Sequence, residues 1–541
     1  MSDMLETYDY IIIGAGTAGC LLANRLSADP KVRVLLLEAG GKDNYIWIDI
    51  PAGYFYCSGN PRVDWAYKTA DIANLNNRSL CYTSGKVFGG SSSINPMIYV
   101  RGQAQDYDNW ARLGNTGWAW DDVLTYFMRH EDQLALSPDQ FGDVHQRGGE
   151  WRIEKTESSW NILDAWGNAA EQIGIPTVDD FNRGHNEGSS YFHINQKAGR
   201  RWNSVRGFIK PILDRPNLTV VTYAMAQRLI IQGQQIQGVE ILRNEVPMRL
   251  GARREVVLAA GAIGSPLLLQ RSGIGAGTDL QSHGINVIAN LPQVGMNLQD
   301  HLEIPCVYKV ARAKTCNDMF QTSWQKAEII LGYMLQRKGS ISMVPLMMGT
   351  FAKSNSSCDT ADLQYYIKPF SQQHSGQSFH RFPAFTAGVC HMRPTSRGYV
   401  RITSPRADDA PEIQPDYLST EEDRQVAVAA IQQTRHIVSQ PALRAFSPEE
   451  YLPGTDIENN DADGLLNAIS QTATSLFHAV GTCRMGSDEN AVVDPYLKVN
   501  GIAGLRIADS SIMPVITSGN TNAPTLMIAE KAAEMIQKDW Q

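Results

Sequence analysis

The stretch from Tyr8 to Gly40, YDYIIIGAGTAGCLLANRLSADPKVRVLLLEAG, constrains the fold more than any other. The apolar run Tyr10–Ile13 has the composition of a strand buried on both faces, as in a parallel sheet. Gly14, Gly16 and Gly19 follow as G-x-G-x-x-G, and CLLANRLS then carries apolar residues at helical spacing. A second apolar run, VRVLLLEAG, ends in Glu38, 19 residues after Gly19. Gly14 permits the tight turn, Gly16 admits a pyrophosphate against the backbone, and Gly19 allows close helix–strand packing. The free N–H groups and positive dipole end of the helix face the phosphates, and an acid ending the second strand accepts from ribose hydroxyls. The pattern predicts a dinucleotide site and, alone, does not separate FAD from NAD.

Length and composition narrow the rest. A chain of 541 residues exceeds one ordinary core, so two or three substructures are expected. The net charge of −8 speaks against a nucleic-acid partner, which normally meets a basic face. The densest basic cluster, KAGRRWNSVRGFIK (197–210), reads as a solvated surface segment. The eight cysteines include no Cys-x-x-Cys pair, and no histidines stand at metal-ligand spacing, so no metal site is expected. Scattered cysteines, and an N-terminus without the pattern of a secretory signal, suggest reduced thiols and a cytoplasmic home. The most apolar stretch, 255–270, is too short and too broken to span a bilayer.

Two further glycine-rich blocks stand out. GKVFGGSSSINPMIYVRG (85–102) suits a backbone wrapped closely around a polar ligand. REVVLAAGAIGSPLLLQRSGIG (254–275) reads as a strand, a glycine turn and a helix closed by Ser272-Gly273, returning to the same sheet. The window TSLFHAVGTCRMG (474–486) surrounds His478 with small and apolar residues. By itself it reads as a core histidine rather than a base. Cys483, without a partner at ligand spacing, reads as a packed thiol.

Taken together, the N-terminal cradle, GGSSSIN, GAIGSPLLLQRSGIG, VGMNLQDH (294–301), FHAVGTCRMG and the tail GLRIADSSIMPVITSGNTNAPTLMIAEKAA (504–533) resemble the glucose–methanol–choline (GMC) family of flavoprotein oxidoreductases. The similarity is greatest to bacterial choline-dehydrogenase-like enzymes that act on aliphatic primary alcohols. The resemblance implies an α/β fold, α+β overall. A Rossmann-like FAD-binding domain (1–150, 200–300 and 455–541) would interleave with a substrate domain (151–199 and 301–454) built on an antiparallel sheet packed with helices. It implies FAD contacts at Gly14, Gly16, Thr17, Ala18, Gly19, Glu38, Ala39, Gly90, Ser91, Asn95, Met97, Asp509 and Ala523. It places His478 at the catalytic base and, counting back from LMIAEK, Asn522 rather than Asn520 at its partner.

Departures from the family pattern carry their own expectations. Ile94 stands where some relatives carry a histidine bonded to the flavin, so FAD is expected to be non-covalent. Phe88 replaces a smaller aliphatic residue, and Pro96, without an N–H, follows Asn95. Choline-oxidising relatives carry an acid at the position of Glu303, although a surface or domain-edge carboxylate is the simpler expectation there.

The function implied is oxidation of a primary alcohol to an aldehyde, with an imidazole as base. Apolar flanks Leu476, Phe477, Ala479 and Val480 would exclude water from that ring and keep it neutral. Electrons would pass to a quinone-like acceptor, with peripheral contact at the inner face of the membrane left open. An oxygen-using alcohol oxidase, a choline or 3-hydroxypropionate dehydrogenase, and an FAD-containing hydroxynitrile lyase stand as alternatives.

Overall fold

The structure is a computed structural model that describes residues 6–156, 159–319, 323–337, 348–373 and 378–541. Residues 1–5, which belong to the N-terminus read above against a secretory signal, lie outside them. Two seven-stranded sheets organise the chain.

The first sheet grows from the N-terminal motif. Strand Glu6–Ile13 runs parallel to Val34–Leu37 on one side and Val246–Leu258 on the other. Leu218–Val221 extends the sheet beyond Val34–Leu37, and Leu505–Ile507 pairs with the end of Val246–Leu258, both parallel. Ile11, Ile12, Val34, Leu35, Leu36 and Leu37 are all buried, which is why these strands read as unbroken apolar runs. The 13-residue strand Val246–Leu258 also serves a different partner at its start. There it pairs antiparallel with Gln235–Arg243, which forms a hairpin with Ala224–Gln232. The helix after the glycines, Thr17–Leu26, packs against the last helix of the chain, Asn522–Asp539. Arg25 locks that contact, reaching both Glu150 and Glu530 at 2.6 Å.

The second sheet is antiparallel throughout, in the order Glu449–Leu452, Leu302–Lys309, Ala384–His391, Leu363–Lys368, Met348–Ala352, Gly188–Tyr191. Side chains alternate across it. Leu302, Ile304, Cys306, Leu363, Tyr365, Ile367, Phe385, Ala387 and Val389 enter one core. Helices Asn161–Gln172 and Glu421–Val438 contribute to the same core. The second of these begins at Thr420, whose side chain accepts from the Asp423 backbone N–H, with three acids in its first turn. The opposite face of the sheet carries Gln364 and Tyr366. Thr474–Ser475 pairs with Leu302–Glu303 at the sheet edge, and the chain runs from there directly into His478.

One surface expectation is corrected. Within the basic cluster 197–210, Arg201 is only 1% exposed. Its guanidinium donates to the carbonyls of Ile48, Ser92 and Asn95 and to Asn95 Oδ1. A short basic run looks the same whether its cations meet water or tie down a neighbouring loop.

Candidate active site

The glycines build a cradle where two helix ends meet. Gly14 has φ +103°, and a Cβ there would lie 2.5 Å from the Ala259 carbonyl oxygen. Gly90, at φ +53°, would bring a Cβ to 2.7 Å from the Cα of Gly16. No side chain larger than hydrogen fits either place without moving backbone. No side chain caps the helix Thr17–Leu26 at Gly16, or the helix Asn522–Asp539 at Thr521. Their first N–H groups are thus available to an anion. Thr17 Oγ1 donates to Asn522 Oδ1 at 2.7 Å and joins the two helix starts. The Asn522 amide nitrogen is buried without a protein partner. Thr17, Ala18, Gly19 and Ala523 are buried around this junction.

Glu38 ends the second strand, as its spacing predicts. Its oxygens accept from the Ala15 N–H at 3.1 Å and the Gly40 N–H at 2.8 Å, and Ala39 between is half-buried. Burial pushes its carboxyl up to about 7 against those two bonds. A ribose diol donating to it would favour the ionised form. Unpartnered donors at the helix ends, a close backbone approach at Gly16 and Gly90, and a buried acid at the second strand together fit the adenosine and pyrophosphate portions of FAD.

Other expected contacts are engaged within the protein. Ser91 is exposed, and its hydroxyl accepts from the Gly85 N–H at 3.1 Å. Asn95 Oδ1 accepts from the Met97 N–H and from Arg201, so the turn over Pro96 is closed without a proline N–H. Met97 is buried, at φ +63°. Asp509 Oδ2 accepts from the Gly261 N–H and Ser265 Oγ, and Oδ1 from the Ser511 N–H. Asp509 therefore holds the start of helix Gly261–Arg271 with its carboxylate. Phe88 packs in the main core, and Ile94 in a small cluster with Ile48, Cys57, Val63 and Val87.

His478 is held in a chain of three side chains. His301 Nε2 lies 3.0 Å from the carbonyl oxygen of Met392, which can only accept, so Nε2 carries a hydrogen. Burial lowers His301 to about 4, so the ring is neutral and its Nδ1 is bare. That atom is 2.9 Å from His478 Nδ1, so His478 is the donor there. Burial, and then the neighbouring His301, hold His478 well below the usual imidazole range. His478 is therefore neutral, protonated on Nδ1, with a lone pair on Nε2. The Asn520 amide donates to that lone pair at 3.1 Å. Asn520 Oδ1 accepts from Tyr366 Oη at 3.3 Å and Gln364 Nε2 at 3.4 Å, which fixes the direction of the amide. A hydroxyl placed at this corner meets a base and a donor together.

The residue facing His478 is thus Asn520, and the expected pairing with Asn522 is corrected. Asn522 is the first residue of its helix and turns to Thr17. Asn520 lies in the turn before that helix. Ser518 anchors this turn: its N–H and hydroxyl both bond Asp106 at 2.7 Å. The expected apolar shield is also partial. Val480 is buried and Leu476 and Ala479 are half-buried, but Phe477 is 37% exposed.

Motif reasoning gave no role to Asp300 or His301, although both stand in VGMNLQDH. Asp300 Oδ1 accepts from the backbone N–H of His301 at 2.9 Å and of His478 at 2.7 Å. Its Oδ2 accepts from Tyr82, Tyr417 and Ser475 hydroxyls. Gln299 accepts from the Ile516 N–H and donates to the Pro514 carbonyl. Three consecutive residues therefore stitch the histidine segment to the tail. Glu303, two residues on, is buried and paired with Lys368, so it is no surface carboxylate. Cys483 is fully buried, and burial pushes its thiol up. Among the described residues no helix is long and apolar enough to cross a membrane.

Known proteins share this arrangement of segments. Two sequence models of GMC oxidoreductases match, over residues 8–303 and 394–529. An alcohol dehydrogenase [acceptor] of Pseudomonas putida is 37% identical over 98% of this chain and 95% of its own length. A mitochondrial choline dehydrogenase of Homo sapiens is 38% identical over 99% and 91%. The crystal structure of pyridoxine 4-oxidase from Mesorbium loti superposes with a TM-score of 0.87 at 30% identity, covering 99% of both chains. The first family model spans the glycine cradle and ends at Glu303, and the second takes in His478 and Asn520. The chain is a member of the GMC oxidoreductase family.

Proposed function

We propose that this chain oxidises a primary alcohol to the aldehyde, with FAD bound non-covalently and electrons leaving to a quinone-like acceptor. The observation that carries the reading is the bare Nε2 of His478 beside the Asn520 amide. When bound, FAD supplies the hydride acceptor. His478 Nε2 takes the hydroxyl proton, and Asn520 Nδ2, released from that nitrogen, donates to the alkoxide. His301 holds the other side of the base, with the Met392 carbonyl behind it. Tyr366 and Gln364 keep the amide pointed at the reacting oxygen.

Similarity to the Pseudomonas putida alcohol dehydrogenase supports the acceptor assignment. Isoleucine at position 94, which has no nucleophile for the flavin, supports non-covalent binding. Apart from Thr474–Ser475, which joins the second sheet at its edge, the strand membership of the two sheets supports dividing the chain into flavin segments 1–150, 200–300 and 455–541, with the remainder forming a substrate domain.

The test is anaerobic mixing of the holoenzyme with 1-hexanol. Bleaching of the oxidised flavin band is expected, and no bleaching would refute alcohol oxidation and favour lyase chemistry. In air, dye reduction should outrun peroxide formation; peroxide produced at the turnover rate would make the protein an oxidase. Acid precipitation should leave all the yellow colour in the supernatant, and colour kept in the pellet would overturn the non-covalent assignment.

A further inference from the structure

The sheet face that holds Asn520 also carries a buried ion pair. On strand Leu363–Lys368, Leu363, Tyr365 and Ile367 enter the helix-covered core, so Gln364, Tyr366 and Lys368 share the other face. On Leu302–Lys309, Leu302 and Ile304 enter that same core, which puts Glu303 on the Gln364 face. Between these strands lies Ala384–His391, where Gly388 is opposite both Tyr366 and Pro305. Lys368 Nζ bonds Glu303 Oε1 across this gap, and the two side chains are only 16% and 8% exposed. A Cβ on Gly388 would stand 1.9 Å from Glu303 Oε1. The missing side chain is what lets the carboxylate lie across the strand. Tyr54, Tyr366 and Cys390 all feel the Glu303 charge. Tyr366 also bonds Asn520, and Lys368 is two residues further, about 7 Å along a strand. The pair therefore lies on the sheet face that carries the Asn520 amide beside His478.

We propose that the Glu303–Lys368 pair is a specificity determinant that makes this subsite electrically neutral, selecting uncharged alcohols against cationic ones. This rests on the alcohol reading above. The carboxylate of Glu303 could draw a trimethylammonium group, and here Lys368 already occupies it. A cationic substrate would either lie against the like charge of Nζ or push Nζ away and leave it buried without a partner. An alkyl tail meets no such opposition.

The experiment compares choline with 1-hexanol by anaerobic flavin reduction in the holoenzyme and in Lys368→Met. The variant keeps a long unbranched stem and leaves Glu303 for a cation. The choline-to-hexanol ratio of kcat/KM should rise by about tenfold or more. The double variant Glu303→Gln/Lys368→Met, with both charges gone, should lose that rise. Tetramethylammonium, titrated by its perturbation of the flavin spectrum, should bind tighter to Lys368→Met than to the wild type or the double variant. This titration needs no turnover. If neither alcohol bleaches the wild-type flavin, the alcohol reading fails and the titration still decides the role of the pair. An unchanged ratio and unchanged tetramethylammonium affinity in flavin-loaded Lys368→Met would overturn the proposal. Should Lys368→Met fail to hold flavin, Glu303→Gln gives the reciprocal readout. It leaves Lys368 unpaired, so reduction by 3-hydroxypropionate should gain relative to hexanol, and no gain would overturn the proposal.

Discussion

Replacing Asn520 by alanine separates the geometry found here from the pairing expected from the motif. Asn520 is 7% exposed, so water has poor access to replace its amide. Its Nδ2 reaches His478 Nε2 at 3.1 Å, which puts it beside an oxygen that would lose its proton to that nitrogen. Removing one such preorganised donor costs about 10²- to 10³-fold in kcat, roughly 3–4 kcal/mol. The substitution also leaves Tyr366 Oη and Gln364 Nε2 without their shared acceptor, a loss of about 1–3 kcal/mol that falls on stability and binding. Stopped-flow flavin reduction by saturating hexanol reads the first effect, and thermal unfolding of the holoenzyme reads the second. Asn522→Ala removes the bond to Thr17 instead. It should weaken flavin retention and cost the loaded enzyme less than about tenfold, since no transition-state donor is lost. A reduction rate in Asn520→Ala within threefold of wild type (about 0.6 kcal/mol), or a larger loss in Asn522→Ala, would refute the assignment.

His301→Ala removes the acceptor that keeps the His478 hydrogen on Nδ1, and kcat should fall by about 10²-fold from the misplaced base, with KM little changed; a rise confined to KM would instead assign His301 to substrate binding. The rate of flavin reduction should show no titration near the ordinary imidazole value of about 6.5. His478 is held below that range by burial, so its basic form persists as the pH falls and activity is lost only under more acidic conditions. A pH-jump series showing half-maximal rate at or above about 6.5 would contradict this. Gly90→Ala puts a methyl 2.7 Å from the Gly16 Cα at a left-handed φ of +53°, a backbone cost of about 1–2 kcal/mol before any overlap is relieved. Fluorescence of released flavin should show a raised dissociation constant, and unaltered retention would mean that the Gly16–Gly90 approach does not shape the cradle.

The first sheet and its cradle were legible because their signals are local. Tyr10–Ile13, the three glycines and Glu38 sit within one βαβ unit, where spacing alone dictates the geometry. The antiparallel sheet came from the family resemblance, since its strands are spread from Gly188 to Ser475 and no single window contains them all. Burial of Arg201 and Glu303 was not legible at all. A charged residue carries no mark in sequence of whether its partner is water, a carbonyl or, as with Lys368, an ammonium 65 residues away.

The two asparagines of SGNTNAPT show why the partner of the base was misread. Sequence presents them as interchangeable amides two positions apart, and only the start of the helix tells them apart. That start is set elsewhere: by Thr17, which donates to Asn522, and by Asp106, which holds Ser518. Once Asn522 is committed to the flavin-side junction, the preceding turn carries Asn520 toward His478. The His478 backbone is held in turn by Asp300. The amide beside His478 and the helix start beside the glycine cradle are therefore parts of one turn. A substitution that slides this helix start by one residue would displace both together. On the proposed function this would make Asp106, which touches neither His478 nor the glycine cradle, a positioning residue for the reaction and for cofactor binding at once.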